Sequence, residues 1–192
     1  MKTVFYASLT FCVLVVFMSC RRTGKDMTDY SGLALKLKLT SKSFKPDSAI
    51  PVKYTCDATT QVFPELSWNA ADKAYKSFVI VMDDPDAVPV VGYVWEHWLV
   101  YDIPAGTSSI GEGSSTLGPL PTGTKRGLTS FGDTAYGGPC PPPGQLHHYH
   151  FKIYGLDVAT AGLPSGSDRK QVMAAIKGHI MDSAELIGTY QH

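Results

Sequence analysis

Neither sign of charge dominates this chain of 192 residues: Lys and Arg together number 17, and so do Asp and Glu. With no net field to draw it to polyanions, nucleic acid is excluded as a partner. Long apolar runs are scarce as well. The one extended uncharged stretch, residues 3–19, is too short to cross a bilayer comfortably. No repeat, low-complexity tract or composition break marks a second domain, and one domain of this length can bury a full core without staples. Helical periodicity is confined to one segment. Cysteines number only four, which excludes a disulfide-dense scaffold.

What is present begins with an address. Lys2 precedes the apolar run, which ends in Phe17-Met18-Ser19-Cys20. This resembles a bacterial lipoprotein cleavage site, in which a small residue precedes the cysteine that receives lipid. Residues 1–19 are accordingly expected to be a signal peptide. Residues 20–32 would form a flexible tether that starts at lipidated Cys20, and residues 33–192 a single domain. The protein is then exported, held to a membrane of the bacterial cell envelope through Cys20. Cys12 leaves with the leader, so Cys56 and Cys140 remain, and an even pair in an exported chain reads as a disulfide.

Beyond residue 33 the segments are short, β-rich and punctuated. Leu35 to Leu39 alternates, Pro46, Pro51 and Pro64 mark turns, and residues 74–82 read as a strand. Residues 105–145 are dense in Gly, Pro, Ser and Thr, far too long for an idle connection, and read as pocket wall. One helix is expected, capped by Ser167, with Asp168 near its N-terminus and Val172, Ala175, Ile176 and Ile180 along one stripe. A last strand covers residues 184–190. The class is mostly β, with sandwich, barrel and jelly roll all open at this point.

Three segments carry the chemistry. Phe78-Val79-Ile80-Val81-Met82 is a buried strand emptying into the turn Asp83-Asp84-Pro85-Asp86-Ala87, where Asp83 is expected to be solvated. From Tyr93 to Tyr101 alternation groups Trp95, His97, Leu99 and Tyr101 against Val94, Glu96, Trp98 and Val100, which reads as a central strand in which His97 needs a polar partner. Gly137-Gly138-Pro139-Cys140-Pro141-Pro142 leads into a third strand. Its period-2 pattern puts His147, Tyr149, Phe151 and Ile153 on an inward face and His148 and His150 on a solvated one. His179 reads as a packed, hydrogen-bonded helix histidine rather than a site residue.

Asp84-Pro85-Asp86-Ala87, Trp95-Glu96-His97-Trp98 and Gly138-Pro139-Cys140-Pro141-Pro142 followed by His147-His148-Tyr149 resemble, in this order, the phosphatidylethanolamine-binding protein family, and its bacterial Raf kinase inhibitor-like branch most. The resemblance extends through Ile50-Pro51, Leu66-Ser67-Trp68 and Ala175-Ile176-Lys177-Gly178-His179 over roughly residues 33–192. It implies two packed antiparallel sheets with a helix near the C-terminus. It also implies a small pocket for phosphoryl or carboxyl head groups built on Asp84, His97, His147 and Tyr149, with Asp86, Ala87, Pro141 and Gly138 around the rim. No cofactor, metal or enzymatic activity is implied, and a protein partner is left unidentified.

In such a pocket Asp84 would orient one imidazole, the backbone amides of Gly137 and Gly138 would add donors, and falling pH would strengthen anion binding by charging the histidines. Two other chemistries compete. A cupin-like metalloenzyme would use His148 and His150 as a His-x-His pair, with only Asp157 and His179 available downstream. An acid–base hydrolase would use Asp84 and His147, without a Ser or Cys nucleophile in a recognisable elbow.

Overall fold

Long strands form where β-branched and aromatic residues are frequent, and three long strands lie side by side at the centre of the protein. In the computed structural model, which describes residues 37–69, 75–116 and 118–192, they are β5 (Ser77–Asp84), β10 (Leu146–Leu156) and β11 (Ile180–Gln191). The signal peptide, Cys20 and the tether lie outside the described residues, as do Leu35, Lys36 and Ala74. All described residues belong to one compact unit, Leu33–His192.

The remaining strands are β1 (Lys38–Thr40), β2 (Ser48–Ala49), β3 (Val62–Phe63), β4 (Leu66–Asn69), β6 (Trp95–Pro104), β7 (Ser109–Ile110), β8 (Gly113–Ser114) and β9 (Lys125–Arg126). They assemble into a six-stranded sheet in the order β2-β11-β10-β5-β6-β9, a three-stranded sheet β1-β4-β7 and a two-stranded ribbon β3-β8. Pairing is antiparallel except where β2 lies parallel to β11. The mostly-β, two-sheet expectation therefore holds, with the ribbon as an addition.

Two apolar layers explain the stacking. Leu39, Leu66, Trp68 and Ile110 of the small sheet meet Phe78, Ile80, Met82 and Phe151 of the large one. The opposite face of the large sheet presents Val79, Val81, Leu99 and Tyr101, covered by Val172 and Ile176 of helix α2 (Arg169–Ile176). Both faces of β5 are thus buried, which is why its sequence is apolar from Phe78 to Met82.

Helix α2 starts one residue later than the sequence signals. Asp168, not Ser167, is the N-cap: its carboxylate accepts from the Gln171 amide at 2.8 Å while the Gln171 side chain accepts from the Asp168 amide at 2.9 Å. Ser167 instead donates to the carbonyl of Pro164. Ile180 belongs to β11 rather than to the helical stripe, and β11 extends past both ends of residues 184–190. Near the far end of β5, a short turn, Pro85–Ala87, is followed by one turn of helix, α1 (Val88–Val91), closed by Gly92 at φ 85°.

Candidate functional site

The end of the large sheet where β5, β6 and β10 meet carries a cleft of about 280 Å³. Strand β10 alternates as its sequence requires: His147, Tyr149, Phe151 and Ile153 are buried, while His148 is exposed and His150 half-buried. His147 therefore points inward at the rim. Asp84, the last residue of β5, meets it there, its Oδ2 accepting from His147 Nδ1–H at 2.7 Å. The Asp84 Oδ1 also accepts from the Ala87 amide at 3.2 Å, so one carboxylate both caps its own turn and orients the imidazole.

His97 reaches the cleft through an irregularity that alternation does not show. Met82 pairs with Trp98 and Asp83 with Glu96, which leaves His97 opposite no residue of β5. This is a β-bulge, in which one extra residue re-aims its side chain. A regular strand would turn His97 toward Leu99 and Tyr101 on the helix side. The bulge swings it to the side of Asp84 instead, so the expected grouping of His97 with Leu99 and Tyr101 is corrected. Its polar partner is backbone: Nδ1–H donates to the Gly137 carbonyl at 2.8 Å. Burial holds the imidazole pKa down at about 4, against the opposing pull of that hydrogen bond and of Asp84 and Asp83.

The other walls come from separate segments. Cys140, Pro141 and Pro142 form one side, Trp95 and Phe131 another, and Ala87, Val90 and Val91 close the cleft next to Asp84. A disulfide between Cys56 and Cys140 (S–S 2.13 Å, Cα–Cα 5.4 Å) ties the Pro-rich wall to the turn after residues 52–54, and the Cys56 amide donates to Pro139 at 3.0 Å. Val90, Val91 and Phe131 carry no polar signature in the sequence and were not foreseen as lining.

Not every expected residue lines the cleft. Tyr149 sits behind it, its ring edge-on to His97 at 5.2 Å and tilted against His147 at 6.4 Å. It supports both imidazoles from the core. Burial pushes its phenol strongly up, and the Cys140 backbone amide opposes this from close to the hydroxyl without completing a hydrogen bond to it. Asp86 turns outward, accepting from the amide and Nδ1–H of His148 at 2.8 and 2.7 Å. Gly138 packs flat on Tyr54 and Thr55, and its amide donates to Gln61 Oε1 at 3.2 Å. The Gly137 amide is likewise taken, by the His97 carbonyl at 3.0 Å. The two backbone donors expected for an anion are both used inside the protein.

Asp83 is also corrected: it is 1% exposed and lies on the helix face, where Lys152 Nζ and Arg169 Nη2 approach at 2.9 and 3.2 Å. Glu96, its neighbour across the strands, meets Arg169 Nε at 3.1 Å. The pairing could not be foreseen, because Lys152 and Arg169 lie 69 and 86 residues from Asp83.

The competing chemistries find less support in this arrangement. His148 and His150 share a face, but each is tied to a different carboxylate, Asp86 and Glu185, at 2.7 Å. His179, expected as a packed helix histidine, is instead exposed in the turn after α2, where it pairs with Asp157 at 2.8 Å. Among the described residues one group, Cys56, Cys140 and His192, brings three metal-ligating atoms together, and its two sulfurs are joined to each other.

The sequence and the two-sheet β fold that carry this cleft have counterparts among known proteins. The sequence profile described as phosphatidylethanolamine-binding protein matches residues 40–191. The chain belongs to the phosphatidylethanolamine-binding protein family. Within it, the chain is 42% identical over 156 residues to a UPF0098 protein of Aquifex aeolicus, covering 81% of this chain and 88% of that one. It is 36% identical over 172 residues to a Mycobacterium tuberculosis protein, LppC, whose name assigns it provisionally to the lipoproteins, with 89% and 80% covered. Among solved members, the crystal structure of CT736 from Chlamydia trachomatis matches with a TM-score of 0.72 at 34% identity, over 81% of this chain and 97% of that one. Escherichia coli YbcL matches with a TM-score of 0.74 at 29% identity, over 81% and 98%.

Proposed function

We propose that this member of the phosphatidylethanolamine-binding protein family is a binding protein whose cleft takes the phosphoryl or carboxyl head group of a small ligand. One observation carries the reading: Asp84, His97 and His147, delivered by three strands, converge on one apolar-walled cleft. A buried Asp–His pair beside a second buried histidine is expensive in stability, and a core has no use for it that apolar residues would not serve better. Apolar walls with a few oriented polar groups are the usual build of a small-ligand site.

Binding rather than turnover fits the lining. Among its residues there is no Ser or Thr hydroxyl, and the Cys140 sulfur is held in the disulfide, so the Asp84–His147 pair has no protein nucleophile to activate. The reading extends to location: a lipid on Cys20 would hold the domain at an envelope membrane and place the cleft close to lipid head groups or to proteins at that surface.

Calorimetric titration with a phosphate monoester tests the cleft. His147→Ala and His97→Ala should each abolish measurable binding while far-UV circular dichroism stays that of the wild type. Binding unchanged in both variants would overturn the reading. Intact-mass analysis of membrane-extracted protein tests the anchor, which fails if residues 1–19 are retained or Cys20 is unmodified.

A further inference from the structure

The two imidazoles at the cleft are not interchangeable, and their hydrogen bonds say why. A carbonyl oxygen has no proton to give, so the bond from His97 to Gly137 at 2.8 Å requires the proton on Nδ1. In the neutral ring Nε2 then carries a bare lone pair. Strand β6 and the 130s loop hold the ring in this pose, with Phe131 against one side and Tyr149 edge-on to the other, at 5.5 and 5.2 Å. His97 Nε2 is a fixed acceptor in a cleft whose family resemblance implies an anion, and two acceptors facing each other repel.

We infer that the cleft selects oxyacids that keep one proton, such as a phosphate monoester monoanion or a carboxylic acid, which donates that hydroxyl to His97 Nε2. Ligands that present only acceptors, sulfate esters and phosphate diesters, are discriminated against. This rests on the anion-cleft reading above and narrows it.

The alternative is that His97 takes up a proton itself when an anion arrives. Asp84, His147 and Tyr149 are the titratable groups that face it and Asp83 acts through the sheet; the two carboxylates favour that uptake and His147 opposes it. Burial outweighs them and leaves the pKa at about 4. Charging the ring at about pH 7 therefore costs on the order of 1000-fold in affinity, against roughly 10-fold for a phosphate monoester whose second pKa is about 6 to keep its own proton. His147 imposes no such restriction: Asp84 takes its Nδ1–H, and the Gln145 side chain, 3.4 Å from Nε2, can turn its amide N–H to the Nε2 lone pair, whose counterpart on His97 is left bare.

Phenyl phosphate and phenyl sulfate decide the matter. Near pH 5.5 both are predominantly monoanions with the same ring for the Trp95, Phe131 and Pro141 walls, and they differ in the hydroxyl. Titrated calorimetrically into the full chain in detergent, phenyl phosphate should bind roughly 20-fold more tightly at about pH 5.5 and about 100-fold at pH 7. Its affinity should fall about tenfold per pH unit above pH 6. In His97→Gln, where an amide N–H replaces the lone pair, the preference should collapse. The ¹⁵N shift of His97 Nε2 in the wild type gives a readout independent of that variant: it should report an unprotonated nitrogen without ligand at pH 7. Equal affinity for the two esters, or a protonated Nε2 in the free protein, overturns the inference and leaves the anion cleft standing. No binding of either ester overturns both.

Discussion

Replacing Glu96 by Gln should make the protein less sensitive to alkaline pH, and the size of the effect follows from what surrounds the carboxyl. Glu96 is 5% exposed, and its Oε1 completes no hydrogen bond. Burial raises its pKa from 4.5 to about 8, with Asp83 adding to the rise and Arg169 and Lys152 opposing it. Arg169 is a weak counterweight because the same guanidinium also serves Asp83, at 3.2 Å. Between the two pKa values the folded protein keeps a proton that the unfolded chain releases. The stabilising contribution of the neutral carboxyl is therefore complete below pH 4.5 and lost as pH rises toward about 8. Each pH unit in that interval is worth about 1.4 kcal/mol, so from about pH 5 to pH 8 the wild type should lose roughly 3–4 kcal/mol relative to Glu96→Gln. Gln keeps the volume and can still accept from Arg169 Nε. Urea unfolding of both proteins at the two pH values measures the difference, and the ionisable groups common to both cancel. Parallel stability–pH curves would refute the argument that burial governs this carboxyl.

Three further outcomes follow from individual contacts. Cys56→Ser with Cys140→Ser opens a cross-link spanning 84 residues, and on the chain-entropy account stability should fall by about 4–5 kcal/mol, measured by urea denaturation against the oxidised wild type. Gly138→Ala places a Cβ 2.6 Å from the Tyr54 carbonyl oxygen and 2.7 Å from Thr55 Cα; because both are backbone and cannot rotate away, a loss of roughly 1–3 kcal/mol is expected, and an unchanged melting temperature would contradict it. Asp168→Ala removes the cap from the Gln171 amide and frees the returning Gln171 side chain; about 1 kcal/mol should be lost, with no change in ligand titrations because α2 lies across the sheet from the cleft.

Where side-chain direction depends only on a residue's own strand, the sequence was sufficient. The alternation of β10 placed His147 and Tyr149 inward and His148 and His150 outward before any partner strand was known, since period 2 is a property of the extended backbone. The unbroken apolar run of β5 declared burial on both faces, and the remaining cysteine pair named its own bond. The motifs around Asp84, His97 and Cys140 named the family.

What only the tertiary structure decided are features that need a second segment to exist. The bulge that turns His97 into the cleft is a mismatch between β5 and β6, and neither strand alone contains it. Asp83 and Asp84 are adjacent, identical and equally polar. Pairing sends one to Lys152 and Arg169 under the helix and the other to His147 in the cleft, because successive residues of a strand face opposite sides of a sheet and the partners waiting there are 69, 86 and 63 residues away. The Gly137 and Gly138 amides looked free for a ligand until the fold brought His97 and Gln61 to them. Local geometry sets which way a side chain points, and long-range packing sets what it meets there.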